Sequence, residues 1–219
     1  MLTNADVARQ NMIENQVRPW EVLDPRVLDV LAAVRREDFV DPRRRALAFA
    51  DLALPIGHGE TMMKPTVEGR VLQAVGIGAG ERVLEIGTGS GFLTACLARL
   101  GGEVTSVEIH ADLADAARAR LAGADIHNAR IEVADAMRAL PTQATFDVVV
   151  VTGAVYALPD AFRARVAPRG RLFAIVGESP AMQAMLCTRE DASHWREESL
   201  FETDLRYLVH AEPPRRFTL

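Results

Sequence analysis

From residue 82 onward the chain alternates short runs rich in valine and isoleucine with longer segments in which leucine and alanine recur at helical spacing. This alternation restricts the fold more than any other feature. The runs "RVLEI" (82–86), "EVTSVEI" (103–109), "RIEVA" (130–134), "FDVVVVT" (146–152) and "RLFAIVG" (171–177) read as strands, and residues 91–100 and 111–121 as crossover helices. Strands of one sheet joined through helices form right-handed βαβ units. Uninterrupted runs such as "VVVV" suit strands covered on both faces. The expected fold is α/β, a doubly wound and mostly parallel sheet.

The two ends of the chain read differently. "MQAMLCTR" and "WREESLFETDLRYLV" are separated by "EDASH", too short to hold a crossover helix, so an antiparallel hairpin is expected. Upstream, residues 3–17 and 24–36 read as helices, the second opening on Asp24 as N-cap and Pro25 at the first helical position. Residues 1–80 are therefore expected to be a helical extension packed on a core of residues 81–219, the two forming one structural unit.

Between the first strand and its helix lies Gly87-Thr88-Gly89-Ser90-Gly91. Such a loop places unpaired N–H groups and a positive helix end at the carboxyl edge of the sheet, where ligands of open α/β sheets bind. Gly87 would permit the sharp turn, Gly89 the approach of a ligand to bare backbone, and Gly91 close packing of the helix on the strand. The dinucleotide fingerprint needs a third glycine where this chain has Phe92, which disfavours a pyrophosphate and with it a nicotinamide dehydrogenase. The second strand ends in Glu108, twenty-one residues after Gly87, near the spacing from which a carboxylate binds ribose hydroxyls. Asp135, beyond the third strand, reads either as an acceptor for an exocyclic amine or as a helix N-cap.

"VLEIGTGSGFLTACLARLG", "VTSVE", "FDVVVVTGA" and "APRGRLFAIVG" together resemble the S-adenosylmethionine-dependent class I methyltransferases, which have a Rossmann-like sheet. "NMIENQVRPWEVLDPRVLDVLAAVRREDFV" and "AFADLALPIGHGETMMKP" narrow the resemblance to the protein-L-isoaspartate O-methyltransferase family, over most of residues 8–178. The resemblance implies S-adenosylmethionine as cofactor, S-adenosylhomocysteine as product and a protein or peptide carboxylate as acceptor. It implies that Glu85 and the loop from Gly87 through Thr88, Gly89 and Ser90 to Gly91 hold the methionine end. Glu108 would hold the ribose, and Asp135 with Ala136 the adenine side. Thr152 to Ala154 would border the methyl-transfer site, although "VTGA" reads equally as a plain strand exit.

The resemblance places "PIGHGETMMKP" (55–65) over the reactive sulfonium and makes it the acceptor loop, with Thr61, Met63 and Lys64 as its site residues. In the family the loop typically reads like "GQTISQP", so Met63 stands at the serine position and Lys64 at the following glutamine. Methionine has no hydroxyl to donate, and a lost hydrogen bond to a charged group costs about 1.5 to 3 kcal/mol. Lys64 would offset this by offering a cation; the plainer reading is a solvated lysine. His58 is a candidate proton acceptor, although an acceptor carboxylate, ionised at neutral pH, needs none.

Three functions fit the residues: methyl transfer to a protein carboxylate, methyl transfer to a small molecule, and a cofactor-binding module without turnover. A net charge of −5 with interspersed signs argues against nucleic acid and anionic membranes as partners. "PRRR" (42–45) and "PPRR" (213–216) are read as solvated surface. No run approaches about eighteen apolar residues, and no secretory leader is read at the N-terminus. The two cysteines, Cys96 and Cys187, and the scattered histidines show no metal-ligand spacing, so no metal is expected. These features suggest a cytoplasmic protein.

Overall fold

The computed structural model describes residues 3–191 and 193–214; Arg215 and Arg216 of "PPRR" lie outside them. The N-terminal third holds α1 (Asn4–Met12), α2 (Pro25–Ala33), the short hairpin β1 (Leu54–Gly57) and β2 (Glu60–Met62), and α3 (Pro65–Val75). There follow β3 (Arg82–Ile86), α4 (Phe92–Arg99), β4 (Glu103–Glu108), α5 (Ala111–Gly123), β5 (Ala129–Val133), β6 (Phe146–Val155), α6 (Asp160–Arg163), β7 (Val166–Val176), β8 (Met182–Arg189) and β9 (Trp195–Thr203). The main sheet has seven strands in the order β5-β4-β3-β6-β7-β8-β9, parallel as far as β7 and antiparallel thereafter.

The expected strands and the C-terminal hairpin are all present. Val83, Val148 and Val150 face one buried cluster and Leu84, Val149 and Val151 the other, as the two-residue period of a strand requires. The first cluster joins the sheet to α4, α5 and the N-terminal elements, through Met12, Leu31, Phe39 and Leu72. The opposite face is covered differently from a regular doubly wound sheet. No helix spans the β5–β6 connection, and Met137, Leu140, Phe162 and Leu208 pack there instead.

Helix boundaries depart most from expectation. The helix read over 3–17 is α-helical only to Met12, continuing as a π turn over Ile13–Val17 and a 3-10 turn over Arg18–Trp20. That over 24–36 ends at Ala33; its start is as expected, with the Asp24 carboxylate accepting from the Arg26 amide and Pro25 at the first position. Among the described residues no helix is long and apolar enough to cross a membrane.

Candidate active site

The chain runs from β3 outward to β4 and β5, then returns to place β6 on the other side of β3. Such a reversal opens a crevice at the carboxyl ends of the strands. Residues 87–91 lie there. The Thr152 hydroxyl, on β6, donates across the crevice to the carbonyls of Ile86 (2.9 Å) and Gly87 (2.5 Å). Gly87 has φ +98°, and a β-carbon on it would lie 2.4 Å from that hydroxyl oxygen. Gly87→Ala therefore combines a left-handed backbone with a contact no real β-carbon makes, and is expected to lower stability by about 1 to 3 kcal/mol in chemical denaturation. Adding Thr152→Ala should recover part of that loss, and no recovery would show that the backbone angle alone sets it.

Gly91, at φ +84°, faces Ala117 of α5, where a β-carbon would sit 3.1 Å from the alanine methyl. Its bareness serves the approach of two helical elements, not that of helix to strand. Loop and strand ends enclose a cavity of about 880 Å³, counting its open mouth. Gly87, Thr88, Gly89, Ser90, Glu108, Asp135, Ala136, Thr152, Thr61 and Met63 all line it. Three predicted site residues do not.

Glu85 is the first of these. It is fully buried beneath the loop, where its Oε2 accepts from the hydroxyls of Thr94 (2.5 Å) and Ser106 (2.6 Å). Ser106 in turn contacts the Thr88 hydroxyl at 2.5 Å, so the carboxyl props the loop from below instead of facing a ligand. Its position inside a strand, pointing away from the crevice, is the physical reason for the correction. Burial pushes the Glu85 carboxyl up to about 7 against the two hydroxyls, which pull it down. Folded protein then holds a proton that unfolded protein releases near 4.5, so stability is full below that pH and falls as pH rises towards 7. A shift of this size corresponds to about 3 kcal/mol. Glu85→Gln keeps the shape and both acceptor bonds, and should flatten the dependence of melting temperature on pH between 4.5 and 8 while raising its value at pH 8. An unchanged slope would place the titration elsewhere.

Gly91, facing Ala117, is the second. Lys64 is the third, an exposed residue at the N-terminal cap of α3 that lines neither this cavity nor its neighbour. The cation expected of it there is absent. His58 too stays outside: it occupies the β1–β2 turn at φ +52°, contacts Asp112 at 2.9 Å and stacks on His110 at 3.9 Å.

Glu108 closes β4 at the cavity wall, its Oε2 accepting from the Gly89 amide (2.8 Å) and its Oε1 from the His110 amide (3.0 Å). Asp135 heads a turn and not a helix, so it caps none. It lines the cavity, while its Oδ1 accepts from the Met137 amide (3.1 Å) and its carbonyl from the amides of Arg138 and Ala139. The His210 ring nitrogen sits 2.8 Å from its Oδ2.

The mouth is completed by a segment that sequence reasoning missed. Residues 205, 206, 208 and 209 line the cavity because the backbone of 206–208 bonds to Ala154: the Ala154 amide donates to Arg206 (2.8 Å) and the Leu208 amide to Ala154 (2.8 Å). Gly153 lacks a side chain where Leu208 presses, its β-carbon position lying 2.7 Å from Leu208 Cδ2. That bare glycine was the available signal in "VTGA". Glu60, on β2, was also missed, as was the buried pair below the acceptor loop. Arg36 donates to the carbonyls of Ala48 (2.8 Å) and Met63 (2.7 Å), contacts the Glu68 carboxylate and lies over the Phe92 ring at 4.9 Å. Burial raises Glu68 and lowers Arg36, while the attraction between them opposes both shifts.

The protein-L-isoaspartate (D-aspartate) O-methyltransferase family matches residues 7–208 of the chain. A protein-L-isoaspartate O-methyltransferase of Anaeromyxobacter dehalogenans is 42% identical over 194 residues, covering 88% of this chain and 93% of its own. The chain belongs to this family. A relative from Rhodopseudomonas palustris, protein-L-isoaspartate O-methyltransferase 1, is 38% identical over 207 residues, covering 94% of this chain and 84% of its own. The same fold is found in a Plasmodium falciparum protein of that family name, solved with S-adenosyl-L-homocysteine, at a TM-score of 0.78 and 19% identity, covering 94% of this chain and 99% of that one. The cavity suits the family's cofactor: bare backbone at Gly87 and Gly89, a carboxylate at Glu108 for hydroxyl donors, and an acceptor at Asp135 for an amine.

Proposed function

We propose that the protein is an S-adenosylmethionine-dependent O-methyltransferase acting on a carboxylate of a protein or peptide, of the isoaspartyl kind. The observation that carries the reading is the glycine loop at the strand crevice with Glu108 bonded to its central amide, in a chain of this family. Glu108 would hold the ribose hydroxyls, Asp135 and Ala136 the adenine side, and the amides of residues 87–90 the methionine end. When bound, the cofactor supplies a methyl group on a sulfonium, which is neutralised as the methyl leaves.

The acceptor needs no base, since a carboxylate is already ionised at neutral pH. The chain's contribution is alignment and exclusion of water. Met62 and Met63, both buried, line the cavity together with Leu205 and Leu208, soft apolar side chains that would not penalise loss of the sulfonium charge. A peptide is favoured over a small acceptor because a second cleft, of about 1040 Å³ counting open space, shares Glu60, Thr61, Leu205 and Arg206 with the first and continues outward. Cover for this site falls to the 55–65 loop, with the helices of residues 1–80 packed on the core. A cytoplasmic setting belongs to the same reading, since Cys96 and Cys187 are buried free thiols that a reducing compartment preserves. The test is transfer of radiolabelled methyl to an isoaspartyl peptide, with release of label by mild base marking an ester. Base-stable label, or none in the presence of bound cofactor, overturns the carboxylate acceptor.

A further inference from the structure

Two cavities meet at a threshold formed by Glu60, Thr61, Leu205 and Arg206. An anionic acceptor crossing it passes Glu60, whose half-buried carboxyl is raised by burial and drawn back by the positive charge of Arg206. A second carboxylate beside Glu60 meets like-charge repulsion unless a cation lies between them. Among the described residues Arg206 is the only lysine or arginine lining either cavity.

Arg206 is exposed, on a backbone that is held in place. The backbone bonds to Ala154 fix the 206–208 segment beside the end of β6, and the guanidinium lies over Gly59 in the β1–β2 turn, its Nη2 3.2 Å from where a β-carbon would be. Gly59 has φ +79°, so a side chain there would be strained and would nudge the guanidinium by a few tenths of an ångström. Among the described residues no hydrogen bond or ion pair holds the Arg206 side chain, whereas Arg36 and Arg171 are each held by a carboxylate and carbonyls.

We infer that Arg206 recognises the acceptor carboxylate and orients it for methyl transfer, a duty for which the methionine at position 63 supplies no hydroxyl. A guanidinium offers paired N–H donors in a plane that match a carboxylate, which a hydroxyl cannot. The role rests on the carboxylate-acceptor reading above.

The experiment compares wild type, Arg206→Met and Arg206→Lys in steady-state methyl transfer to an isoaspartyl peptide, with calorimetric titration of S-adenosylhomocysteine and a thermal melt on each. Arg206→Met should raise KM for the peptide by about 10- to 100-fold, with cofactor affinity within about twofold and an unchanged melting temperature. Arg206→Lys should recover part of the loss, because it restores charge without the planar pair of donors. An active wild type whose Met variant keeps the same KM overturns the role alone. A wild type that binds S-adenosylhomocysteine yet never methylates the peptide overturns the acceptor reading and the role with it.

Discussion

Glu108→Ala will bind S-adenosylhomocysteine on the order of 100- to 1000-fold more weakly than wild type. The carboxylate does two things at once. In the proposed site it would offer acceptors to a hydroxyl pair, each hydrogen bond to a charged group being worth about 1.5 to 3 kcal/mol, and it holds the amides of Gly89 and His110. Truncation removes the ligand's partner and also leaves two N–H groups without theirs, so the loop loses the tie that shapes it. Isothermal titration gives the affinity directly. Glu108→Gln should fall between wild type and alanine, because an amide retains one acceptor oxygen but turns its NH2 towards a backbone donor. An affinity within threefold of wild type for the alanine variant would remove Glu108 from the cofactor site.

The second large effect concerns stability. Glu68→Leu should cost about 3 to 5 kcal/mol, because it leaves Arg36, wholly buried, without its carboxylate. For a chain of 219 residues that corresponds to a fall in melting temperature of about 6 to 20 °C. The loss should be coupled: Arg36→Met combined with Glu68→Leu should be less destabilising than the two single changes added together, by about 0.5 to 3 kcal/mol. Strict additivity would mean that the ion pair contributes nothing beyond its separate packing. Because Arg36 also binds the Met63 carbonyl, the same variants should loosen the acceptor loop and raise KM for a peptide before they affect cofactor affinity.

The strands were legible because parallel strands buried on both faces leave runs such as Val148 to Val151, which few other settings tolerate. The glycine loop was legible for a related reason: residues 87, 89 and 91 all have positive φ, a constraint that acts on one residue at a time and so leaves its trace in a short motif. Arg206 left no such trace. It reaches the cavity through two backbone bonds to Ala154, fifty-two positions earlier, and backbone bonds carry no side-chain signature. Lys64 misled for the converse reason. Adjacent to Met63 in sequence, it begins α3 and points to solvent, while its neighbour turns inward. Glu85 shows a third limit, since a carboxyl at the end of a strand reads alike whether it meets a ligand or props a loop from behind. Arg36 and Glu68 are thirty-two residues apart, and nothing local distinguishes their charges from the solvated ones around them.

The strap of residues 204–209 across the mouth has a consequence for how the protein comes into being. The glycine loop, Glu108, Asp135 and Thr152 lie within the first 155 or so residues, yet Leu205, Arg206, Leu208 and Val209, which line the same cavity, are translated some fifty residues later. The cavity wall is therefore completed only once residues 205–209 have been synthesised, some fifty positions after Thr152.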